Sequence, residues 1–301
     1  MELTVLGCHS ATPRNDANTT SQLLAIKNHL FLIDCGEGTQ TQLRKARVKF
    51  FRIQHIFISH LHGDHFYGLI GLVSTFRLMG REKELHIYGP KGIKELITLQ
   101  LKYANSWTNY PLYFHELESK VSECIFEDDK VRVSTIPLDH RVYTNGFLFE
   151  EKPGPRHLDK AAIDALEIPF QAFEKLKQGK DYITASGEVI PNQQLTSDPN
   201  KPLRYAFCSD TAYHEPMIPI IQGVDVLYHE ATFLEQHVEL ALKTKHSTAR
   251  QAATIAQKAD VGSLILGHFS TRYADDTLFE KEAQTIFENT CIAEAGKQYR
   301  F

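Results

Sequence analysis

The sequence contains no apolar run long enough to cross a membrane and no signal peptide. A membrane-spanning helix needs about 20 consecutive apolar residues, and a signal peptide needs a basic segment ahead of an apolar one. The N-terminal stretch MELTVLGCHS has neither feature. These absences predict a cytoplasmic protein without a membrane partner.

Cysteine is scarce, and its spacing argues against a disulfide framework or a Cys-x-x-Cys metal site. The five cysteines are odd in number and scattered along the chain: Cys8, Cys35, Cys124, Cys208 and Cys291. We therefore expect reduced, mostly buried thiols. Reduced thiols also favour a cytoplasmic location.

A strong charge of one sign is absent as well. The formal net charge of −4 over 301 residues argues against non-specific polyanion binding by the whole surface, but it does not exclude a local basic patch. Hydrophobic residues make up 42% and charged residues 23%, as in ordinary globular proteins. A chain of this length can bury a large core.

Histidine is the residue type that stands out, because three of the 15 histidines fall within six residues. They lie in IFISHLHGDHFY at 56–67, which holds four candidate metal ligands: His60, His62, Asp64 and His65. Residues 56–59 predict a buried strand and residues 66–78 a helix, so the ligands fall on the connecting loop. Gly63 has no Cβ and lets that loop turn sharply. A polar surface loop is the alternative interpretation.

The spacing of these four ligands indicates two adjacent metal ions. His60 and His62 can share one ion, whereas Asp64 and His65, one step further round the turn, face another point. Imidazole and carboxylate groups are suitable ligands for zinc.

Other short apolar strands also end in histidine or aspartate, at His140, Asp210 and His268. Ligands at the carboxyl ends of strands in a layered α/β protein converge on one edge of the sheets. Each residue taken alone also fits a capped turn or a core histidine. Together with the first loop they predict two zinc ions about 3.5–4 Å apart with one bridging carboxylate. We assign His60, His62 and His140 to one zinc, Asp64, His65 and His268 to the other, and Asp210 to both.

Asp34 ends the strand predicted at residues 30–33. It can orient a ligand histidine through a hydrogen bond, or it can form a turn, and the sequence does not decide between these interpretations. Elsewhere the patterns predict a turn at Gly89-Pro90, a strand at 224–228 and a helix at 276–290.

Residues 152–202 depart from the pattern of the rest of the chain. This segment holds six of the 12 prolines and lies between two strands that carry predicted ligands. It is too long for an ordinary connection, so we expect an insertion with its own small structure. The patterns predict helices at 158–167 and 172–178 and a hairpin at 182–190.

Positive charge is concentrated in this insertion at Lys175, Lys177 and Lys180. Glu174 and Asp181 lie alongside, so charge alone favours a solvated helix face over a binding surface.

Six stretches of the chain carry a family resemblance. They are IDCGEGTQ at 33–40, FISHLHGDHFYGLIGLVSTFRLMGR at 57–81, SDT at 209–211, HEATF at 229–233, HST at 246–248 and GHFSTRY at 267–273. Together they resemble the ribonuclease Z family of tRNA 3′ endonucleases, in the metallo-β-lactamase superfamily. The resemblance spans nearly the whole chain, and the seven assigned ligands fall on those of the family.

The resemblance implies an α/β fold, the metallo-β-lactamase αββα sandwich, with a dizinc site at one edge of its two sheets. A single such domain would span residues 1–301, with residues 152–202 as a flexible inserted arm, or exosite, for tRNA binding. The family also implies two Zn²⁺ per subunit and a homodimer, in which one subunit's arm holds the tRNA precursor that the other cuts. On this basis Lys175, Lys177 and Lys180 become candidate substrate-binding residues.

Two stretches depart from the family pattern. KLKQG at 175–179 is similar to the family arm, but PFQAF at 169–173 stands where a Gly-Pro usually precedes it. ATPRN at 11–15 looks like a shortened form of the family's Pro-x-Lys-x-Arg-Asn loop. We therefore expect differences in arm geometry and in recognition of the acceptor end.

The predicted reaction is hydrolysis of one phosphodiester bond. Asp64 is the candidate general base, because it binds a metal and can accept the proton of a metal-bound water. His246 is the candidate proton donor to the leaving ribose oxygen, as the resemblance also implies, and Glu230 is the carboxylate that would keep it charged. A structural histidine is the alternative for His246. Ser247 or Thr248 is predicted to cap the next helix, whose N-terminus could hold a phosphate oxygen.

Three other functions compete with this prediction. One is a dizinc phosphodiesterase, or other hydrolase of the same fold, acting on small-molecule esters, and the arm argues against it. Another is a noncatalytic RNA-binding protein, but all seven ligands and His246 are present. The third is a di-iron redox protein, and the chain has no flavin-binding segment. Iron accepts the same ligands as zinc, so the sequence does not identify the metal.

Overall fold

The structure, a computed structural model, describes residues 1–12 and 17–301. These residues form two compact units. The first comprises Met1–Glu127, Val131–Glu150 and Leu203–Phe301, and the second comprises Asp128–Lys130 and Glu151–Pro202. Pro13, Arg14 and Asn15 of the N-terminal loop discussed above lie outside the described residues.

The first sheet of the first unit has seven strands. Their spatial order is Gln298–Arg300, Glu2–Gly7, Ser21–Ile26, His29–Ile33, Ile53–Phe57, Leu85–Pro90 and Leu112–Leu117. The last four strands in this order run parallel to one another. Their carboxyl ends therefore meet at one edge, where the first predicted ligands follow the strand Ile53–Phe57.

The second sheet also has seven strands. Their order is Thr290–Ile292, Ser263–Gly267, Val226–Glu230, Arg204–Cys208, Asn145–Glu151, Val131–Pro137 and Cys124–Glu127. The first four in this order are parallel. Asp210 and His268 follow two of these parallel strands, so the topology brings them to one edge of this sheet.

The core between the sheets is aromatic. Phe31 and Phe57 of the first sheet are fully buried with Phe147 and Phe149 of the second, and Phe57 and Phe149 meet edge to face with ring centroids 5.4 Å apart. Such pairs contribute about 0.5–1.5 kcal/mol beyond the burial of their area. This layer fixes the two sheets, and hence the ligands at their edges, relative to one another.

Helices cover the outer faces of both sheets. On the first sheet they are Thr39–Lys45, Gly63–Leu78 and Ile93–Tyr103, which bury Leu43, Leu72 and Ile97 in a separate cluster. On the second sheet they include Ala249–Lys258 and Thr277–Gln284, through Ala252, Ala256 and Phe279. Two shorter helices are Ile218–Ile221 and Val238–Thr244. The layers are thus helix, sheet, sheet and helix, and every described helix is too short or too polar to cross a bilayer.

The second unit has a small core of its own, formed by Ile163, Ile168, Leu176 and Leu195. Its helices are Lys160–Ala165, Phe173–Lys177 and Asn192–Leu195, and its paired strands are His157–Leu158 with Thr196–Ser197 and Tyr182–Ile183 with Val189–Ile190. The predicted hairpin at 182–190 is confirmed. Gly187, at φ 85°, supplies the left-handed residue that its turn needs.

Several predicted boundaries are wrong. The helix expected at 66–78 begins at Gly63, and the turn expected at Gly89-Pro90 is the end of the strand Leu85–Pro90. A proline is tolerated there because it is the last residue of the strand, where the sheet requires no further backbone N–H donor.

Two further boundaries differ near the site. The strand expected at 224–228 runs over Val226–Glu230, so Glu230 belongs to the strand itself. The helix expected at 276–290 ends at Gln284, because Thr290 begins the edge strand of the second sheet. Among the cysteines, Cys8, Cys35 and Cys208 are buried free thiols.

Candidate metal centre and active site

The first ligands are placed by the junction of a strand and a helix. His60 and His62 follow the strand Ile53–Phe57, and His62 is the N-cap of the helix Gly63–Leu78 with an extended backbone. Asp64 and His65 were expected on a loop but lie in the first turn of this helix. The helix N-terminus favours the negative charge of Asp64 at this position.

The side-chain donor atoms form two adjacent groups that could each hold a metal ion. One group consists of His60, His62, His140 and Asp210, and the other of Asp64, His65, Asp210 and His268. Within each group the donor atoms lie within 4.8 Å of one another. The division is the one expected from the sequence, with Asp210 in both groups.

The two carboxylate oxygens of Asp210 face different groups. Its Oδ2 lies 3.5 Å from His60 Nε2 and 3.8 Å from His140 Nε2. Its Oδ1 lies 3.2 Å from His65 Nε2 and 3.1 Å from His268 Nε2. This arrangement suits a bridging ligand, because one oxygen is available to each metal position.

The donor set fits a two-metal group. The Nδ1 atom of His62 lies 2.9 Å from His60 Nε2 and 3.3 Å from His140 Nε2, so three ring nitrogens point at one place. The Nε2 atom of His65 is buried, and although Asp210 Oδ1 lies 3.2 Å away, no aligned hydrogen bond to it is found among the described residues. A buried polar atom without a partner is costly unless something else binds it. Imidazole and carboxylate donors are those that zinc accepts.

Asp34 fixes one of these histidines. Its Oδ2 accepts hydrogen bonds from His65 Nδ1 at 2.7 Å and from Ser59 Oγ at 2.9 Å, and its Oδ1 accepts from Ser59 N at 2.7 Å. The structure thus shows the hydrogen bond to a candidate ligand histidine, one of the two interpretations that the sequence left open. Asp34 also has φ 54°, so it makes the turn at the strand end as well. A carboxylate on Nδ1 leaves Nε2 as the atom available to a metal.

Two other histidines are oriented in the same way. His140 Nδ1 donates to the carbonyl of Lys245 at 2.8 Å, and His268 Nδ1 donates to Thr232 Oγ1 at 2.9 Å. Both rings therefore present Nε2 to the cluster. Thr232 was not among the residues expected at the site from the sequence, although it is the threonine of the HEATF stretch.

His246 and Glu230 form a separate pair beside the metal groups. His246 Nδ1 donates to Glu230 Oε1 at 2.8 Å, and the His246 ring stacks on that of His268 with centroids 5.3 Å apart. Burial alone lowers the pKa of His246, but the Glu230 carboxylate outweighs burial and raises this pKa to about 9. The pair also forms a third group with His268 in which the donor atoms are within 4.8 Å, so metal binding by His246 is a geometric alternative.

Glu230 is fully buried and held by four hydrogen bonds. Oε1 accepts from Thr211 N as well as from His246, and Oε2 accepts from both the backbone N–H and the hydroxyl of Thr232. Burial raises the pKa of Glu230, but the charge and hydrogen bond of His246 together with the charge of His268 outweigh burial and lower it. The carboxylate is therefore charged and fixed in place.

Ser247 and Thr248, the predicted substrate-binding residues, have roles within the fold. Ser247 Oγ donates to the carbonyl of Thr211, and Thr248 caps the helix Ala249–Lys258 by accepting from Gln251 N. The backbone N–H groups of Thr248 and Ala249 also donate to protein oxygens. The groups expected to hold a phosphate are thus already hydrogen-bonded, and substrate contact by these residues stays a prediction.

A cavity of about 430 Å³ opens onto the metal groups. It is lined by His62, Asp64 and His246 and also by two residues that the sequence analysis missed, Arg141 and Phe233. Their only sequence signal is position, since Arg141 follows a ligand histidine and Phe233 ends HEATF.

The lysines of the insertion belong to the second unit. Lys175, Lys177 and Lys180 are exposed, and none forms an ion pair within residues 1–12 and 17–301. Their contact with a substrate stays a prediction.

Comparison with known sequences gives consistent matches over almost the whole chain. The chain is 48% identical to ribonuclease Z of Bacteroides fragilis over 292 residues, which cover 97% of this chain and 96% of that protein. It is 46% identical to ribonuclease Z of Parabacteroides distasonis over 295 residues, covering 98% and 97%. A family model described as anti-Pycsar protein Apyc1 matches residues 1–152, which include His60 to His140 but not Asp210 or His268.

Solved structures agree in fold. Human tRNase Z, short form, is similar with a TM-score of 0.73 and 25% sequence identity, covering 100% of this chain and 99% of that one. The metallo-β-lactamase fold protein YhfI from Bacillus subtilis has a TM-score of 0.69 at 19% identity, covering 99% of each chain, and shows the fold alone. The predicted metallo-β-lactamase αββα sandwich is therefore confirmed.

Proposed function

The chain belongs to the ribonuclease Z family, and from this membership we propose that it removes the 3′ trailer from tRNA precursors. It acts as an endoribonuclease and leaves a 3′-hydroxyl on the tRNA. The observation that carries the proposal is that the seven candidate ligands form two adjacent groups, and that four of them line one cavity together with His246, the partner of Glu230. A noncatalytic protein would have no use for this complete set of groups.

The proposed cofactor is two Zn²⁺ per subunit. His60, His62 and His140 would hold one ion, Asp64, His65 and His268 the other, and Asp210 both. Held by these residues, two zinc ions would neutralise phosphate charge and lower the pKa of water, so that a hydroxide nucleophile would be available near pH 7.

Asp64 is the proposed general base. The Oδ2 atom of Asp64 lies 3.3 Å from His268 Nε2 and 3.5 Å from His65 Nε2, so this oxygen faces the other candidate metal ligands. No hydrogen bond to its Oδ1 is found among the described residues, and Asp64 lines the cavity. One oxygen can therefore bind metal while the other accepts a proton from the attacking water.

His246 is the proposed proton donor to the leaving 3′-oxygen. Its Nδ1 is committed to Glu230, whereas its Nε2 makes no hydrogen bond within the described part of the chain. Glu230 keeps the ring protonated at neutral pH, since the pKa of His246 is raised to about 9. The pair thus holds a proton at Nε2 beside the cavity.

The insertion, residues 152–202, is the proposed tRNA-binding arm, with Lys175, Lys177 and Lys180 contacting phosphates. We also propose a homodimer, in which the arm of one subunit holds the precursor cut by the other, and a cytoplasmic location. Support comes from the family resemblance and from the exposed, unpaired state of the three lysines among the described residues.

Metal analysis combined with product analysis tests the requirement for two zinc ions and the 3′-hydroxyl product. Removal of metal by a chelator should abolish cleavage, and Zn²⁺ should restore it at two ions per chain. The tRNA product should be a substrate for poly(A) tailing without phosphatase treatment, because it ends in a 3′-hydroxyl. A 3′-phosphate on the tRNA product, or full activity after complete metal removal, would contradict the mechanism.

A further inference from the structure

A second cavity, of about 480 Å³, lies beside the active-site cavity, and Arg141 lines both. Arg141 lies on the loop between the strands Val131–Pro137 and Asn145–Glu151. Lys120 and His214 lie on other parts of the wall. The reaction described above uses none of these three side chains.

The lining of this second cavity is cationic or neutral. Lys120 and Arg141 line it, and no aspartate or glutamate is found among the described lining residues. Neither cation forms an ion pair within residues 1–12 and 17–301. By contrast, Lys245 of the same region is paired with Asp139 at 2.8 Å. The cavity therefore presents unpaired positive charge, which attracts phosphate.

Arg141 connects this charge to the reaction site. It lines the first cavity together with His62 and His246. It is thus close to a candidate metal ligand and to the proposed proton donor. A phosphate bound by Arg141 would lie at the boundary between the two cavities.

The wall of the second cavity is fixed by hydrogen bonds. Tyr143 Oη donates to the carbonyl of Ser119 at 2.8 Å, and Asn145 Nδ2 donates to Tyr143 Oη at 2.8 Å. The N–H of Leu138 donates to the carbonyl of Thr144 at 3.2 Å across the base of the loop. A preformed cavity of this size suits a small organic group, and tyrosine rings are common stacking partners of unpaired bases.

We propose that this second cavity is a subsite for the single-stranded ribonucleotide next to the scissile phosphate. Arg141 and Lys120 bind the phosphate oxygens of that nucleotide, and Tyr143 borders its base. The inference rests on the proposed function, because it assigns a place to the strand that continues from the cleaved bond. Lys120 lines the second cavity and not the first, so hydrolysis of a small phosphodiester such as bis(p-nitrophenyl) phosphate in the first cavity should not depend on it.

Kinetics on two substrates test the subsite. Lys120→Ala should lower kcat/KM for a tRNA precursor about tenfold more than kcat/KM for bis(p-nitrophenyl) phosphate, since one charge-assisted phosphate contact is worth about 1.5 kcal/mol. Arg141→Lys should recover part of the loss seen in Arg141→Ala, because a single charge still binds phosphate without the guanidinium fork. Lys94→Ala is the matched control, since Lys94 is an exposed lysine outside both cavities.

Binding to the metal-free protein gives a readout that does not depend on cleavage. The affinity of a fluorescent pentauridylate is measured against salt concentration by anisotropy. Lys120→Ala and Arg141→Ala should each reduce the slope of log K against log salt by about 0.7, the value for one phosphate contact of a single strand.

The two proposals fail differently. If precursors are not cut but the two slopes fall as expected, the second cavity binds single-stranded RNA and the proposed function is wrong. If precursors are cut while Lys120→Ala and Arg141→Ala both match Lys94→Ala in slope and in kinetics, the subsite is wrong.

Discussion

The imidazole of His246 and the carboxylate of Glu230 are joined by a hydrogen bond of 2.8 Å between Nδ1 and Oε1. Glu230 cannot turn away from this contact, because its other hydrogen bonds come from Thr211 and Thr232. The carboxylate also offsets the burial of the ring. It therefore sets the protonation of His246 and the direction in which the ring faces.

Removal of the negative charge of Glu230 should make His246 neutral at pH 7. In the metal-free protein, the His246 ring signals should titrate with a pKa of about 9 in NMR spectra. In Glu230→Gln the burial of the ring remains while its partner's charge is lost, so this pKa should fall to or below the ordinary value of about 6.5. Glu239→Gln, which changes an exposed carboxylate, should leave the pKa unchanged. A His246 pKa near 6.5 in the unaltered protein would contradict the electrostatic account.

The pair of His246 and Glu230 should also make the free energy of unfolding depend on pH. The folded-state pKa of His246 is raised, so its stabilising contribution is fully present below a pH of about 6.5. This contribution is lost as the pH rises through about 9. The free energy of unfolding of the metal-free protein, obtained from urea unfolding at pH 6 and at pH 10, measures this contribution. Glu230→Gln should show a smaller difference between the free energies at the two pH values.

Loss of the His246 side chain should separate metal binding from turnover. We expect His246→Ala to retain two zinc ions and to lose about 10²–10⁴-fold in kcat, the range for removal of a proton donor. His115→Ala, a change of an exposed histidine, should retain both metal and activity. Zinc analysis after gel filtration checks the first part. A loss of one zinc from His246→Ala would mean that the group of Glu230, His246 and His268 binds metal instead.

Asp34 should contribute to metal affinity without touching the metal. Asparagine tolerates the left-handed backbone of Asp34, at φ 54°, and can still accept from Ser59. Asp34→Asn loses the charge that orients His65, and zinc affinity should fall about 10–100-fold in a chelator competition. Asp260→Asn is a matched control, because Asp260 is exposed and also left-handed, at φ 51°. Equal zinc affinity of both variants would contradict this role of Asp34.

Loss of the arm should weaken binding of large substrates alone. Deletion of residues 153–199 should raise KM for a tRNA precursor and spare hydrolysis of bis(p-nitrophenyl) phosphate. A milder test replaces three arm lysines by alanine, Lys175, Lys177 and Lys180, and compares the result with the replacement of three exposed lysines elsewhere, Lys83, Lys94 and Lys102. The arm variant should lose more precursor affinity at the same net charge. Equal loss on both substrates would show that the segment is structural.

Much of the site could be predicted because its ligands follow apolar strands. His60 and His62 follow the strand Ile53–Phe57 closely, and parallel strands place His268 and Asp210 at the ends of two others. Strand periodicity and ligand type are local properties of the sequence. They are sufficient to indicate a two-metal site before any distance is known.

Other features depend on tertiary structure and could not be read from the sequence. Asp210 and His268 adopt left-handed backbones, at φ 56° and 63°, which residues other than glycine rarely do. The cavity beside Arg141 exists only because a distant segment at Ser119 packs on its loop. The hydroxyl of Thr232 links Glu230, in its own stretch of the chain, to His268 in a distant one.

The most direct test of the central claim is incubation of the zinc-loaded protein with an end-labelled tRNA precursor that carries a 3′ trailer. We expect a single cut just after the acceptor stem, abolished in Asp64→Ala and retained in Glu95→Ala, which changes an exposed carboxylate. No cut in the precursor, with bis(p-nitrophenyl) phosphate still hydrolysed, would contradict it and would identify a phosphodiesterase that acts on small substrates.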